Sequence, residues 1–393
     1  MDLRGEEYVV TMTEPALGAS PEALGPPAPQ GDTRGAGGEP GPGPAGHPEH
    51  GRPEHGRRAG RAGRVASDFG PLARRVREAG LLERRRGYYT RAVTLNLAAT
   101  AALWAAVAWW GTSWWALLLA VPLALTSTRR AFLGHDAGHR QIAASPRANR
   151  LLGLLLGNLG LGLGYGWWND KHNRHHANPN HVDKDPDVGE GVLAWTREQA
   201  ARRRGPGAWV IAHQAWLFFP LLLLEGLNLQ ANSVLFLRGK ARREQLVEGV
   251  LLTAHLAAYL GLAFTLLSPG KAVLFLAVHQ GLFGLHLGSA FAHNHKGMAM
   301  PGPGDRWDHL RRQVLTSRNV RGGPVPDYLL GGLNYQIEHH LFPSVARPHL
   351  RRLQPLVREH CARVGLPYTE TGAYASYREA LAHMNDVGAP LRS

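Results

Sequence analysis

Residues 92 to 139 read A-V-T-L-N-L-A-A-T-A-A-L-W-A-A-V-A-W-W-G-T-S-W-W-A-L-L-L-A-V-P-L-A-L-T-S-T-R-R-A-F-L-G-H-D-A-G-H. No charged side chain occurs from Ala92 to Thr128, and Gly111-Thr112-Ser113 interrupts the run near its middle. A helix needs about 20 apolar residues to cross a bilayer. The run therefore predicts two crossings joined by a tight turn, at approximately 92–110 and 114–132. A hairpin returns to the side on which it began. Arg129-Arg130 mark that side as cytoplasmic, because short cytoplasmic loops carry the excess of Lys and Arg. The second arm is expected to continue as helix beyond the headgroups and to carry His135 and His139. Residues at i and i+4 share one helix face, so both imidazoles are aimed the same way.

The pattern recurs further on. Gly249 to Leu267 and Ala272 to Phe291 are uncharged, Ser268-Pro269-Gly270-Lys271 joins them, and the basic stretch Arg238 to Glu244 precedes them. A second hairpin is expected, with spans at approximately 249–267 and 272–291, delivering His293 and His295 to the cytoplasmic face. Two other apolar runs obey a parity argument. A single crossing by Leu151 to Trp168 would put the histidines before and after it on opposite sides. Basic segments flank Trp209 to Leu224 at both ends. Both runs are expected to form interfacial or half-inserted helices. The C-terminal segment is polar and amphipathic, with Arg351-Arg352 and Arg358, and reads as a cytoplasmic helical cap. The resulting fold class is all-α and integral to the membrane: four transmembrane helices in two hairpins, interfacial helices, and a cytoplasmic cap carrying a dinuclear metal site.

Three histidine clusters hold the chemistry: H-D-A-G-H at His135 to His139, H-N-R-H-H at His172 to His176, and Q-I-E-H-H at Gln336 to His340. Imidazole is the commonest side-chain metal ligand. One zinc ion takes about four ligands, so the seven histidines in these groups suit two metal ions. Ligating histidines usually donate their other N–H to a carboxylate or carbonyl. Asp136, Asp170, Asp183, Asp185, Asp187 and Glu338 lie within or beside the clusters, and some are expected in that role. The D-K-D-P-D run reads equally as a solvated loop or a docking patch for a basic carrier. His255, His279 and His286 fall inside the spans; hydrogen bonds between helices are expected for the first two, and His286 is left open. The Trp109-Trp110, Trp114-Trp115 and Trp167-Trp168 pairs read as interface anchors.

At these residues the chain resembles the membrane-bound fatty acid desaturases, which carry H-x(3–4)-H, H-x(2–3)-H-H and (H/Q)-x-x-H-H boxes in this order. The strings W-W-N-D-K-H-N-R-H-H and N-Y-Q-I-E-H-H-L-F-P are similar to the bacterial acyl-CoA or acyl-lipid branch, and Gln336 in the third box is similar to front-end desaturases. The resemblance covers roughly residues 67 to 375. It implies two iron ions held by His135, His139, His172, His175, His176, His339 and His340. His295 would be an eighth ligand, similar to the extra histidine that the family places after its last span. Gln336 is implied as a weak ligand or a holder of bound water, and Asp136, Asn173 and Glu338 as neighbours of the ligands. No catalytic residue beyond the metal ligands and no cofactor-binding motif for flavin or NAD is expected. The implied reaction takes O2 and two external electrons and introduces a C=C bond into a fatty acyl chain, so a separate ferredoxin or cytochrome with its reductase is an expected partner. The alternatives are a di-iron hydroxylase or carotenoid oxygenase, which shares the boxes, and a histidine-rich metal-binding membrane protein. A metal transporter should place ligands at mid-membrane, whereas most histidines here flank the spans. N-Y-Q-I-E-H-H favours the desaturase.

Composition fits this reading. The chain has 393 residues and a formal charge of +14. A basic balance points either to nucleic acid or to positive loops beside a membrane; the apolar runs support the second, and no nucleic-acid partner is expected. Cys361 is the single cysteine. It excludes an internal disulfide and an iron–sulfur cluster ligated by cysteines of one chain. Residues 1 to 66 are rich in Gly, Pro, Ala and Arg and read as a disordered tail, leaving 67 to 393 as the membrane domain. Their His47-Pro48-Glu49-His50 is not the H-P-G-G haem motif of the family's cytochrome b5 fusions. No apolar h-region precedes residue 92, so no cleaved signal peptide is expected. Ser67-Asp68 is expected to cap an arginine-studded helix over Leu72, Val76, Ala79 and Leu82, lying on an anionic membrane surface. The expected location is a multi-pass membrane protein with a cytoplasmic active site, in the plasma membrane if the source is bacterial.

Overall fold

The computed structural model describes residues 67–392, so the expected tail at 1–66 lies outside the described residues. Among the described residues sixteen α-helices follow one another in chain order. They are α1 Phe69–Glu78, α2 Arg86–Trp110, α3 Ala120–Gly138, α4 Pro146–Gly153, α5 Tyr165–Ala177, α6 Arg197–Ala201, α7 Gly205–Ala212 and α8 Gln214–Leu222. Then come α9 Glu225–Leu237, α10 Arg242–Leu266, α11 Pro269–Ala292, α12 His309–Leu315, α13 Pro324–Leu329, α14 Gln336–Leu341, α15 Arg347–Arg363 and α16 Ala373–Gly388. The two strands, β1 Asn319–Val320 and β2 Glu370–Thr371, form one short parallel pair.

Among the described residues four helices are long and apolar enough to cross a membrane: Arg86–Trp110, Trp114–Gly138, Arg242–Leu266 and Pro269–Ala292. The second includes a 3-10 turn, Trp114–Leu119, ahead of α3. Each of the four expected spans has its helix, and α2 and α10 run further at their basic ends. In α2 and α10 only 11% of the most apolar window is buried, against 50% and 39% in the other two. α3 and α11 are therefore the inner pair, and they pack along each other.

One end of this bundle is closed by Val107, Ala116, Leu123, Ala263, Leu267 and Phe275, which pack together from all four long helices and the turns between them. Lys271, 6% exposed in the first turn of α11, reaches back to the turn that follows α2. Its Nζ donates to the carbonyl oxygens of Gly111 and Thr112, the latter at 2.8 Å. The turn after α2 and the start of α11 are thus latched by a cation on peptide oxygens that no helical bond satisfies.

The two ambiguous apolar runs are broken. In the first, α4 passes into a π-helical turn at Leu154–Leu159 and stops before α5. Leu151, Leu155 and Leu159 line its exposed side. In the second, α7 and α8 lead to a 73° bend into α9; the bent pair α8–α9 would count as a fifth span by length and composition. One expectation is corrected at α1. Its apolar stripe does not face a bilayer: Leu72 and Val76 are fully buried against Leu353, Val357 and Cys361 of α15. Burying such side chains contributes about 1.5–3 kcal/mol each, which fixes α1 to the protein. Its Arg75 pairs with Glu359 of α15 at 2.8 Å.

Candidate metal centre

Four separate segments bring the histidines together. His135 lies in the last turn of α3 and His139 is its C-cap residue, with ring centroids 4.7 Å apart. α5 buries His172, His175 and His176 on one side. The third cluster forms the short helix α14 and buries His339 and His340. The chain reverses into it through Gly331 at φ 61° and Gly332 at φ 85°, and a Cβ on Gly331 would collide with the Phe132 ring of α3. Only glycine adopts that backbone freely and leaves that room. His295 sits in the turn after α11.

The nitrogens converge in two groups. Ligand atoms of His135, His139, His172 and His339 all lie within 4.8 Å of one another, and those of His175, His295 and His340 form a second such group. His176 lies between them: its Nε2 is 3.1 Å from that of His172, and its ring stacks on His340 at 4.1 Å. The Nε2 atoms of His139 and His172 are 2.9 Å apart, and those of His175 and His295 are 3.3 Å apart. Nε2 of His135, His339 and His340 is buried without a hydrogen-bond partner. Buried polar atoms are normally satisfied. A set of imidazole lone pairs left facing one another is what a shared cation would resolve, so the donor set fits a metal site.

In four of the rings the opposite nitrogen is held. Nδ1 of His175 bonds to Asp185 Oδ2 at 2.9 Å, His295 Nδ1 to the Thr316 carbonyl at 2.9 Å, His340 Nδ1 to Gln313 Oε1 at 3.0 Å, and His135 Nδ1 to Asp136 Oδ1 at 3.2 Å. Each partner accepts, so each Nδ1 carries the proton and each Nε2 lone pair faces the group. These acceptors are themselves fixed. Arg347 pairs with Asp136 at 2.6 Å. Asp185 takes the Asn180 N–H at 2.7 Å and the Asp187 N–H at 2.9 Å. Asn180, in a left-handed conformation at φ 56°, also donates to the His295 carbonyl at 2.8 Å.

Burial, reinforced by neighbouring imidazoles, holds His139, His172, His176, His339 and His340 well below the ordinary imidazole range. Burial and His175 push His295 down to about 3, against the Thr316 carbonyl. These rings are neutral at physiological pH, the form that ligates a metal. His175 goes the other way: burial lowers it, but Asp185 and Asp187 outweigh burial and raise it.

The remaining candidates fall elsewhere. Gln336 turns its Oε1 to Asn294 Nδ2 at 3.1 Å and its Nε2 to His295 Nε2 at 2.9 Å, so its amide N–H side faces the imidazoles. Glu338 is buried but faces Asn319 Nδ2 at 2.6 Å and Tyr368 at 2.7 Å. Asn173 is half-buried on α5, and no described hydrogen bond joins it to these rings. Asp170 pairs with Arg174 at 3.2 Å on the surface, and Asp183 is exposed. His293 bonds to the Ser289 carbonyl and packs on Tyr377. His255, His279 and His286 bond to Leu159, to Ser127 and Tyr259, and to Leu329, each reaching another segment. Gln313, Thr316, Asn180 and Arg347 escaped the sequence reading. None lies in a box, and each reaches its partner only through the fold.

Beside the first group lies a cavity of about 150 Å³, walled by His135, His172, Trp168, Leu229, Leu287 and Phe291. Trp168 stacks on His172 at 4.4 Å, which places it at the site rather than at an interface. Lys171, Asp187 and Glu225 bring charge to the same wall. Apolar walls with a few polar groups are what small-molecule pockets present.

The profile of the fatty acid desaturase family matches residues 112–372. The chain belongs to that family. It is 30% identical over 313 residues to an acyl-lipid (9-3)-desaturase of Physcomitrium patens, covering 76% of this chain and 58% of the relative. It is 29% identical over 334 residues to a delta(8)-fatty-acid desaturase of Helianthus annuus, covering 79% and 70%. It is 29% identical over 323 residues to a delta(5) fatty acid desaturase of Caenorhabditis elegans, covering 78% and 71%. The chain thus spans little more than half the length of the moss protein. The family implies a fatty acyl substrate and a lipid environment, in keeping with the four apolar helices and the cavity.

Proposed function

We propose that this chain is an O2-dependent fatty acyl desaturase that introduces a C=C bond into an acyl chain carried by CoA or by a lipid. The observation that carries the reading is the convergence of eight buried imidazoles, seven of them in two groups with His176 between, beside a cavity that His135 and His172 help to wall. His135, His139, His172 and His339 would hold one iron, and His175, His295 and His340 the other, with His176 set between them. The irons, when bound, would supply the activation of O2 and the oxidising power that no side chain has. The balance is one CH2–CH2 unit, O2, two electrons and two protons in, and one CH=CH unit and two waters out. The electrons are supplied by a separate ferredoxin or cytochrome and its reductase.

The chain's own residues bind, orient and exclude water. Leu229, Leu287 and Phe291 offer apolar surface to a methylene chain, and Trp168 braces His172 while walling the cavity. Asp185, Thr316 and Gln313 hold the rings so that their Nε2 atoms face inward. Gln336, with its carbonyl oxygen turned to Asn294, serves to position His295 rather than to ligate. Glu338 is a buried brace between Asn319 and Tyr368.

In the membrane the four long helices form two hairpins whose ends lie on the cytoplasmic side, with the imidazoles and α12 to α16 beyond them. The bend between α8 and α9 fits a re-entrant element, which keeps all the histidines on one side. The test is expression of the chain in a host fed saturated and monounsaturated acyl chains. Gas chromatography is expected to find a new double bond, and anaerobically prepared protein is expected to hold two irons per chain. Hydroxylated products, or full activity with zinc, would overturn the reading.

A further inference from the structure

A second cavity, of about 140 Å³, lies within the helix bundle and shares one lining residue with the first. Both are walled by the same two inner helices. On α3, Leu123, Ser127 and Arg130 face the second cavity, while Ala131, Gly134 and His135 face the first. On α11 the order is the same: His279 and Phe283 face the second cavity, and Leu287 and Phe291 the first. Steps of three or four residues keep one helix face in line. Each helix thus presents a single continuous face to both spaces. From Leu123 to His135 that face is about 18 Å long, room for much of a long acyl tail.

Leu161 is the residue that lines both cavities. It is 5% exposed, and its main chain is fixed. Gln230 Nε2 donates to its carbonyl at 3.0 Å, Gly162 N to the Asn158 carbonyl at 3.1 Å, and Leu163 N to the Gly157 carbonyl at 3.1 Å. Gly162 turns the chain there at φ 69°, where an added Cβ would lie 2.7 Å from the His255 ring. The side chain of Leu161 can therefore change while the loop that presents it stays in place.

Most polar groups around the second cavity have partners; the exception is Gln280 Oε1, buried without one. Ser127 Oγ bonds to His279 Nε2 at 3.1 Å, and Tyr259 to His279 Nδ1 at 2.5 Å. Arg130 donates to Asn96 Oδ1 at 2.9 Å, to the Gly160 carbonyl at 3.0 Å, and to Thr100. Satisfied groups ask for no polar ligand, and Trp104, Leu123, Leu262 and Phe283 supply apolar wall.

We propose that Leu161 closes the cavity at the imidazoles against the second cavity and so sets how far the methyl end of an acyl chain can run, the second cavity opening to that end only when this side chain is made smaller. This rests on the acyl-substrate reading above. The test needs no turnover. Full-length protein in lipid nanodiscs is given a fatty acyl probe with a diazirine at its methyl end, irradiated, and mapped by mass spectrometry. In the unaltered protein the label is expected next to Leu161, in Leu163 to Trp168. In Leu161→Ala it is expected to move to α10 and α11, around Tyr259 and His279. Product profiles from a graded series of chain lengths form the second measurement. A methylene newly accepted by an apolar pocket changes kcat/KM on the order of 10-fold. Leu161→Ala is therefore expected to favour longer chains by that factor, and Leu161→Phe shorter ones. If Leu161→Ala does not accumulate, Leu161→Val carries the same expectation. Label and profile that stay put in well-folded variants would overturn the proposal. A label that relocates in a protein making no unsaturated product supports the proposal and counts against desaturation alone.

Discussion

At the scale of single residues, the D-K-D-P-D run shows how much position matters. Asp183 is exposed, whereas Asp185 is 1% exposed and takes bonds from His175, Asn180 and Asp187. Replacing an outer partner of a ligating histidine typically costs about 10–100-fold in metal affinity. Asp185→Asn is expected to lose iron to that extent in a chelator competition, while Asp183→Asn keeps the unaltered affinity; equal behaviour of the two would remove Asp185 from this role. The sequence offered no way to choose between them, because both share one charge and one local context. It did single out the box histidines, since spacing on a helix is a local property. It missed Gln313 and Thr316, whose bonds to His340 and His295 span 27 and 21 residues. It also set Trp167-Trp168 with the interface anchors, because stacking on His172 cannot be read from a dipeptide.

At the scale of elements, the four long apolar helices were legible because the bilayer sets a minimum length. The broken stretch between α4 and α5 was legible only as an exception, by parity. Its six glycines allow many paths, and the one taken depends on a distant side chain. Glu248 of α10 accepts from Asn158 Nδ2 at 3.0 Å and from the Gly166 N–H at 3.1 Å. Gly166 is in the first turn of α5, where N–H groups lack helical partners, and the preceding Gly164 gives no side-chain cap. Glu248 thus caps from outside the helix that carries three of the histidines. Leaving such a buried donor unmet costs about 1–3 kcal/mol. Glu248→Leu is expected to lower the thermal midpoint in detergent and to speed iron loss, with Glu248→Gln closer to the unaltered protein. A Leu variant as stable and iron-replete as the parent would refute the capping role. The reverse failure is α1. Its arginines and apolar stripe suit a membrane surface, but they suit the groove of α15 as well, and amphipathicity alone does not name the partner.

At the scale of the whole molecule, charge asymmetry makes topology testable. Cys361 is the single cysteine, so a Cys361→Ser background is expected to give no label of its own. In that background Thr112→Cys and Ser268→Cys are expected to react with an impermeant maleimide from outside the cell. Ala144→Cys and Arg242→Cys are expected to react only after the membrane is opened. External labelling at Ala144 would break the arrangement of two hairpins with their ends on one side. The overall plan was legible because hydrocarbon thickness and basic flanks are coarse signals; the packing of α3 on α11, which decides the site, is not carried by them. The latch at Lys271 bears on that packing. It lies at the start of α11, with His295 just beyond the other end, and it grips the turn before the segment that ends at His135. The two helices therefore work like the arms of a pair of tweezers, joined at the hinge and loaded at the tips. On the proposed topology the Lys271 contact lies across the hydrocarbon from the imidazoles, so it bears on their spacing without touching them.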